Sequence, residues 1–238
     1  MFYDIYVGER SMKEFFINIV KLLLSIIIIF FIEKFFFEFT SFLGLKLTEN
    51  TLVTLIIYII EFTLIFIIYS NEIKSAFSKY QNKLGSNMLY TLISFIVVFI
   101  TMMITNYIVK LIASNLNITY NGLNLINIFD KTFNFDLIVL FLKSIIIIPF
   151  VKVVIFVLGI NNLVKGKAST IISGLTYALY EGFLIGGKFG NVFIDVIDEF
   201  VLFIILSYIY KKNNNIAFSI ITFILYELLS SLLITKFL

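Results

Sequence analysis

Carboxylates sit inside apolar runs long enough to cross a bilayer. Glu61, Glu181 and Glu227 each lie within a run of aliphatic and aromatic residues. Most of the chain is divided into such runs, and their length, about 20 residues, matches roughly 30 Å of hydrocarbon. An ionised side chain there costs several kcal/mol, on the order of 2.5–3.5 for Asp by insertion scales. Acids persist in such runs where they line a polar interior, a pathway or a site. The runs fold as helices, because a helix satisfies its own backbone hydrogen bonds without water. The expected class is therefore all-α: a polytopic membrane helical bundle with a polar core.

Composition narrows the chemistry. The 238 residues are 61% hydrophobic with a mean hydropathy of +1.06, which fits no soluble globular class. Short loops leave no room for a separate soluble domain. There is no cysteine and no histidine. That removes disulfides, thiolate catalysis, thiolate-held metal and any site built on imidazole. We expect no cofactor and no metal. A net charge of +3 with scattered lysines argues against a nucleic-acid partner. The leading segment, with Asp4, Glu9 and Glu14, does not resemble a cleaved signal.

Seven helices are expected, at about 15–37, 51–70, 87–112, 135–160, 168–187, 190–210 and 214–235. Pro149 removes a backbone donor from the fourth, kinking it or dividing it in two. Residues 71–86 carry Ile73, Phe77, Tyr80 and Leu84 at helical spacing, with Lys74, Lys79 and Lys83 on other faces. They read as a short amphipathic helix on the cytoplasmic leaflet or as an ordinary basic loop. The 113–134 loop is rich in asparagine, and Asn117-Ile118-Thr119 fits a glycosylation sequon.

Lysine and arginine set a direction. Arg10, Lys13, Lys74, Lys79, Lys83, Lys165, Lys167, Lys211 and Lys212 fall on one side of this topology. Lys46, Lys131, Lys188 and Lys236 fall on the other. The positive-inside rule then puts the N-terminus in the cytoplasm and the C-terminus outside a cell membrane.

Under this topology Glu181, Asp195, Asp198, Glu199 and Glu227 share the outer half of the membrane. Lys143 is a candidate cationic partner, with Lys152 deeper. Clustered carboxylates oppose one another's ionisation, so Glu181, Glu227 and Asp198 are candidate catalytic acids. Each acid has a plainer role open to it, hydrogen bonding a neighbouring helix or pairing with a lysine. Asp195, Asp198 and Glu199 also suit the positive end of a helix. Glu61 and Lys143 are assigned to the polar core. Gly174, Gly182, Gly186, Gly187 and Gly190 crowd the fifth helix and its exit, which places that helix centrally in the bundle.

The stretch FVLFIILSYIYKKNNNIAFSIITFILYELLSSLL, 200–233, resembles the last two helices of the CPBP family of intramembrane proteases (CAAX-processing and bacteriocin-processing enzymes, also called Abi proteins). SGLTYALYE, 173–181, resembles that family's second motif, and PFVKVVIFV, 149–157, falls where its first would lie. GLTYALYE, 174–181, also resembles the acid-bearing glycine-rich helix of the related PrsW peptidases. The resemblance covers roughly 149–233. It implies a CPBP-like four-helix segment over 135–238, preceded by a three-helix segment over 1–134, in one membrane domain.

The family's catalytic residues are not kept. Lys152 and Val153 stand where the first-motif glutamates would be, and Val157 stands at the arginine. Glu181 and Phe223 replace the two histidines, and Glu227 replaces the asparagine. The resemblance thus implies an inactive homologue. Its inherited groove, formed by Lys152, Phe156, Tyr177, Glu181, Phe223 and Glu227, would bind a membrane peptide or protein partner in a scaffold, immunity or regulatory role. A divergent hydrolase using Glu181 and Glu227 is the first alternative, with Mg²⁺ or Ca²⁺ as a conceivable oxygen-held ion. A small transporter subunit is the second.

Overall fold

The computed structural model describes residues 12–36, 42, 51–116, 118, 135–185 and 189–237. Among them the ordered elements are all helical. α1 is Met12–Phe30, continued by a wide π turn, Phe31–Phe36; α2 is Thr51–Ile68, α3 Ser70–Gln81 and α4 Leu84–Asn115. α5 is the rod 135–163, α6 is Ala168–Ile185 and α7 is Phe189–Asp195. α8 is Ile197–Asn213 and α9 is Ile216–Phe237.

Among the described residues two helices, Leu84–Asn115 and Leu137–Leu163, are long and apolar enough to cross a membrane. The pair Val53–Ile68 and Ser70–Gln81 makes a third if counted as one span, bent by 86°. α4 has 32 residues, about 48 Å at 1.5 Å per residue, more than the hydrocarbon thickness. Its surface is studded with exposed apolar side chains such as Leu89, Met103 and Tyr107.

α5 is the core of the molecule. From Phe150 to Ile160 every residue but Lys152 is buried. A helix apolar on all faces is stable only when surrounded, and α1, α2, α6, α8 and α9 all pack on it. Pro149 leaves the rod in one piece. A π turn, Leu142–Ile147, runs up to it and a second follows at Val154–Gly159, so the missing donor falls where the ladder is already widened.

The glycines do not make the fifth predicted helix the centre. α6 leaves Ile171, Leu175, Leu179 and Phe183 exposed along one stripe. What glycine provides is a close crossing with α8. A Cβ on Gly174 would lie 2.7 Å from the Phe200 carbonyl oxygen and 2.7 Å from Ile204 Cγ1. Ser173 Oγ, beside it, donates to the Phe156 carbonyl on α5 at 2.5 Å. Gly186 and Gly187 lie outside the described residues, and so do Asn117 and Thr119 of the sequon.

Two other expectations are refined. The helix expected over 190–210 is divided at Val196 into α7 and α8, which puts Asp198 and Glu199 in the first turn of α8. Their charge meets the positive end of that helix. Residues 70–81 do form a helix, but its apolar face is covered by protein. Ile73, Ala76 and Tyr80 are buried; Tyr80 meets the Phe218 ring edge-on and shares a 2.9 Å hydrogen bond with Thr91. Leu84, expected on that face, instead begins α4 and is exposed.

Hydrogen bonds between distant segments fix one end of the bundle. Asn215 Nδ2 donates to the Ala76 carbonyl, joining the α8–α9 turn to α3. Asn214 takes the left-handed conformation that closes α8, with φ of 47°. Lys211 donates to the Gly166 carbonyl in the α5–α6 loop, and Asn18 Nδ2 donates to the Asn162 carbonyl. Asn161 donates to Ser207 Oγ and accepts from Ser169, tying α5, α6 and α8 together.

Candidate functional site

Four helices bring their charged residues to one level. Counted from the end just described, Lys152 lies eleven residues before Leu163, and Glu181 thirteen after Ala168. Glu199 lies fourteen before Asn213 and Glu227 eleven after Ile216. At 1.5 Å per residue each is about 16–21 Å into the bundle.

Lys152 Nζ donates to Glu181 Oε1 at 2.5 Å across the α5–α6 seam, with 13% and 14% of the two side chains exposed. α5 points this lysine at α6 because its other faces are filled by Val151, Val153 and Val154. The ammonium also lies 5.4 Å from the Tyr177 ring centroid, a second favourable contact for a cation away from water. Glu199 lies within electrostatic range of Glu181, Lys152, Glu227 and Asp198. Glu227 lies within range of Lys152 and Glu181. The acids of α6, α8 and α9 therefore share one field with one lysine.

An aromatic cluster adjoins the pair through Tyr177. Phe156 packs against Tyr177, Tyr180 and Phe203, and Phe203 in turn meets Tyr177 and Phe223. Of the groove residues expected from sequence, Phe156, Tyr177 and Phe223 are core residues, 1%, 2% and 3% exposed. Lys152, Glu181 and Glu227 lie at the cluster's less buried edge. Asp198 is buried in the first turn of α8. Among the described residues no group of three or more acids is placed to hold a metal ion.

Lys143 and Glu61 belong elsewhere. Lys143 Nζ lies over the Tyr58 ring of α2, 4.4 Å from its centroid. Glu61, 1% exposed, is one turn further along α2. Of the two candidate lysines, Lys152 is the one that meets Glu181.

Sequence reasoning missed Tyr180, Phe203 and Tyr226 as walls of the site; each sits in an aromatic-rich run with nothing local to single it out. It also missed a second ion pair, Lys21 Nζ to Glu72 Oε1 at 2.6 Å, beside the buried Tyr69. Its partners are 51 residues apart, and no local pattern joins them.

No protein-family model matches the chain, no curated protein matches it, and no solved structure matches its fold.

Proposed function

We propose that this is a multi-pass membrane protein of CPBP-like architecture that binds a membrane peptide or protein without cutting it. The observation that carries the reading is the Lys152–Glu181 ion pair. It fills the level at which the resemblance would put water-activating glutamates and histidines. The Glu181 oxygen that would have to hold a water already accepts a hydrogen bond from the Lys152 ammonium at 2.5 Å. The aromatic rings that adjoin it through Tyr177 are packed against one another, which supports a structural strut more than a solvated reaction chamber.

In this reading α1, α2, α4, α5, α6, α8 and α9 each cross the bilayer, with the N-terminus cytoplasmic and the C-terminus outside. The contacts among α3, the α5–α6 loop and the α8–α9 turn support that direction. They gather Lys74, Lys79, Lys165, Lys167, Lys211 and Lys212 at one end.

One observation favours the hydrolase alternative. Glu199 and Glu227 add acids to the site beyond the one that Lys152 neutralises. The two readings separate in proteoliposomes holding a panel of fluorogenic membrane peptides, each also fitted with a photo-crosslinker. The binding reading predicts crosslinked peptide and no cleavage by the wild type. Cleavage that disappears in Glu227→Gln, with folding intact, would overturn it.

A further inference from the structure

Three lysine-bearing segments meet at one end of the bundle. α3 lies across it because the chain turns by 86° after α2. Its inward face, Ile73, Ala76 and Tyr80, is buried against the bundle, while Lys74 and Lys79 are exposed and Lys83 follows at the start of α4. The Asn215–Ala76 hydrogen bond sets the end of α8, with Lys211 and Lys212, beside α3. The Lys211–Gly166 contact brings the α5–α6 loop, with Lys165 and Lys167, against the end of α8. The acids at this end, among the described residues, are Glu72, which Lys21 neutralises, and Glu14 in the first turn of α1, next to Lys13 in sequence.

Apolar surface begins within a turn or two of these lysines. Leu84, Met88 and Leu89 are exposed directly after Lys83, and Ile171 four residues after Lys167. On the membrane reading given above, on which this inference rests, the lysines stand at headgroup depth and the apolar residues in the acyl chains. Phosphate groups and ammonium groups then occupy the same plane, a few Å apart.

We propose that this rim of lysines binds anionic phospholipid headgroups, with α3 as the rigid strap that spreads the charge along the leaflet. The lipid is favoured over an acidic soluble partner because exposed apolar residues follow the lysines directly, Leu84 after Lys83 and Ile171 four residues after Lys167. Basic clusters at that border are drawn to anionic leaflets, and the attraction falls off within a screening length.

The test is the unfolding midpoint of the full chain in nanodiscs of phosphatidylcholine alone and of phosphatidylcholine with phosphatidylglycerol. The wild type should gain several degrees with phosphatidylglycerol and lose the gain at about 1 M salt, where the screening length is about 3 Å. The triple variant Lys74→Gln, Lys79→Gln, Lys83→Gln should lose most of that gain. In phosphatidylcholine alone it should equal or exceed the wild type, since three mutually repelling charges are gone. That crossover separates lost lipid binding from a damaged fold. Equal wild-type midpoints in both lipids, or a triple variant that keeps the whole gain, would overturn the proposal. So would stabilisation by soluble polyglutamate with none by phosphatidylglycerol, which would make the rim a protein-binding face. A chain that does not enter nanodiscs at all fails the membrane reading itself.

Discussion

Lys152 and Glu181, on neighbouring antiparallel helices, meet at 2.5 Å in the middle of the bundle, each side chain less than one-sixth exposed. This pair turns two residues that would each be costly in an apolar core into a single neutral contact.

Removing one partner should therefore cost more than removing both. Lys152→Met or Glu181→Gln alone leaves the other group without its counter-charge, a loss of about 3–5 kcal/mol for a buried pair. The double variant Lys152→Met, Glu181→Leu should recover most of that stability. Thermal unfolding in detergent checks the cycle. Additive losses would mean that the two residues do not act on each other.

The second ion pair should behave differently. Lys21 and Glu72 are 26% and 30% exposed at the side chain, so water screens them and the unpaired state is tolerable. Glu72→Gln should cost no more than about 1 kcal/mol. The same unfolding assay, run beside Glu181→Gln, gives the comparison.

Glycine substitutions should separate a packed seam from open surface. Gly174→Ala puts a methyl 2.7 Å from the Phe200 carbonyl, and a backbone atom cannot rotate away. Overpacking of this kind costs about 1–3 kcal/mol. Gly85 in α4 has nothing within 4 Å of its Cβ position. Gly85→Ala should be neutral or stabilise by up to about 1 kcal/mol through helix propensity. A Gly174→Ala protein as stable as the wild type would mean that the α6–α8 crossing is looser than described.

Much of the helical layout was legible because the apolar runs are punctuated by lysine, asparagine and glycine, as at 161–167 and 211–215. For α3 the sequence left two readings open, and the spacing of Ile73, Phe77 and Tyr80 supported the amphipathic helix that forms over an ordinary basic loop. What it packs on was not legible, because its contact with Asn215 joins residues 139 apart in sequence. The gathering of Glu181, Glu199 and Glu227 at one level could be anticipated from helix direction and length. The choice between Lys143 and Lys152 could not. They lie nine residues apart on one rod, which turns them to different faces, and only the identity of the helix on each face decides the partner. The break at Val196 was hidden because neither Gly nor Pro marks it: the residues around it are Asp195, Ile197 and Asp198. The central place of α5 was hidden for a different reason: glycines mark a close crossing, whereas being surrounded is marked by apolar residues on every face.

The most direct test is the side of the membrane on which each end of the bundle lies. The chain has no cysteine, so single cysteines report without background. Lys79→Cys, Lys167→Cys and Lys212→Cys probe the basic end, and Leu116→Cys, just past α4, probes the opposite one. The account predicts that a membrane-impermeant maleimide labels only Leu116→Cys in intact cells, and the other three only after permeabilisation. Labelling of Lys79→Cys and Leu116→Cys from the same side, or division of the three basic-end positions between sides, would contradict it.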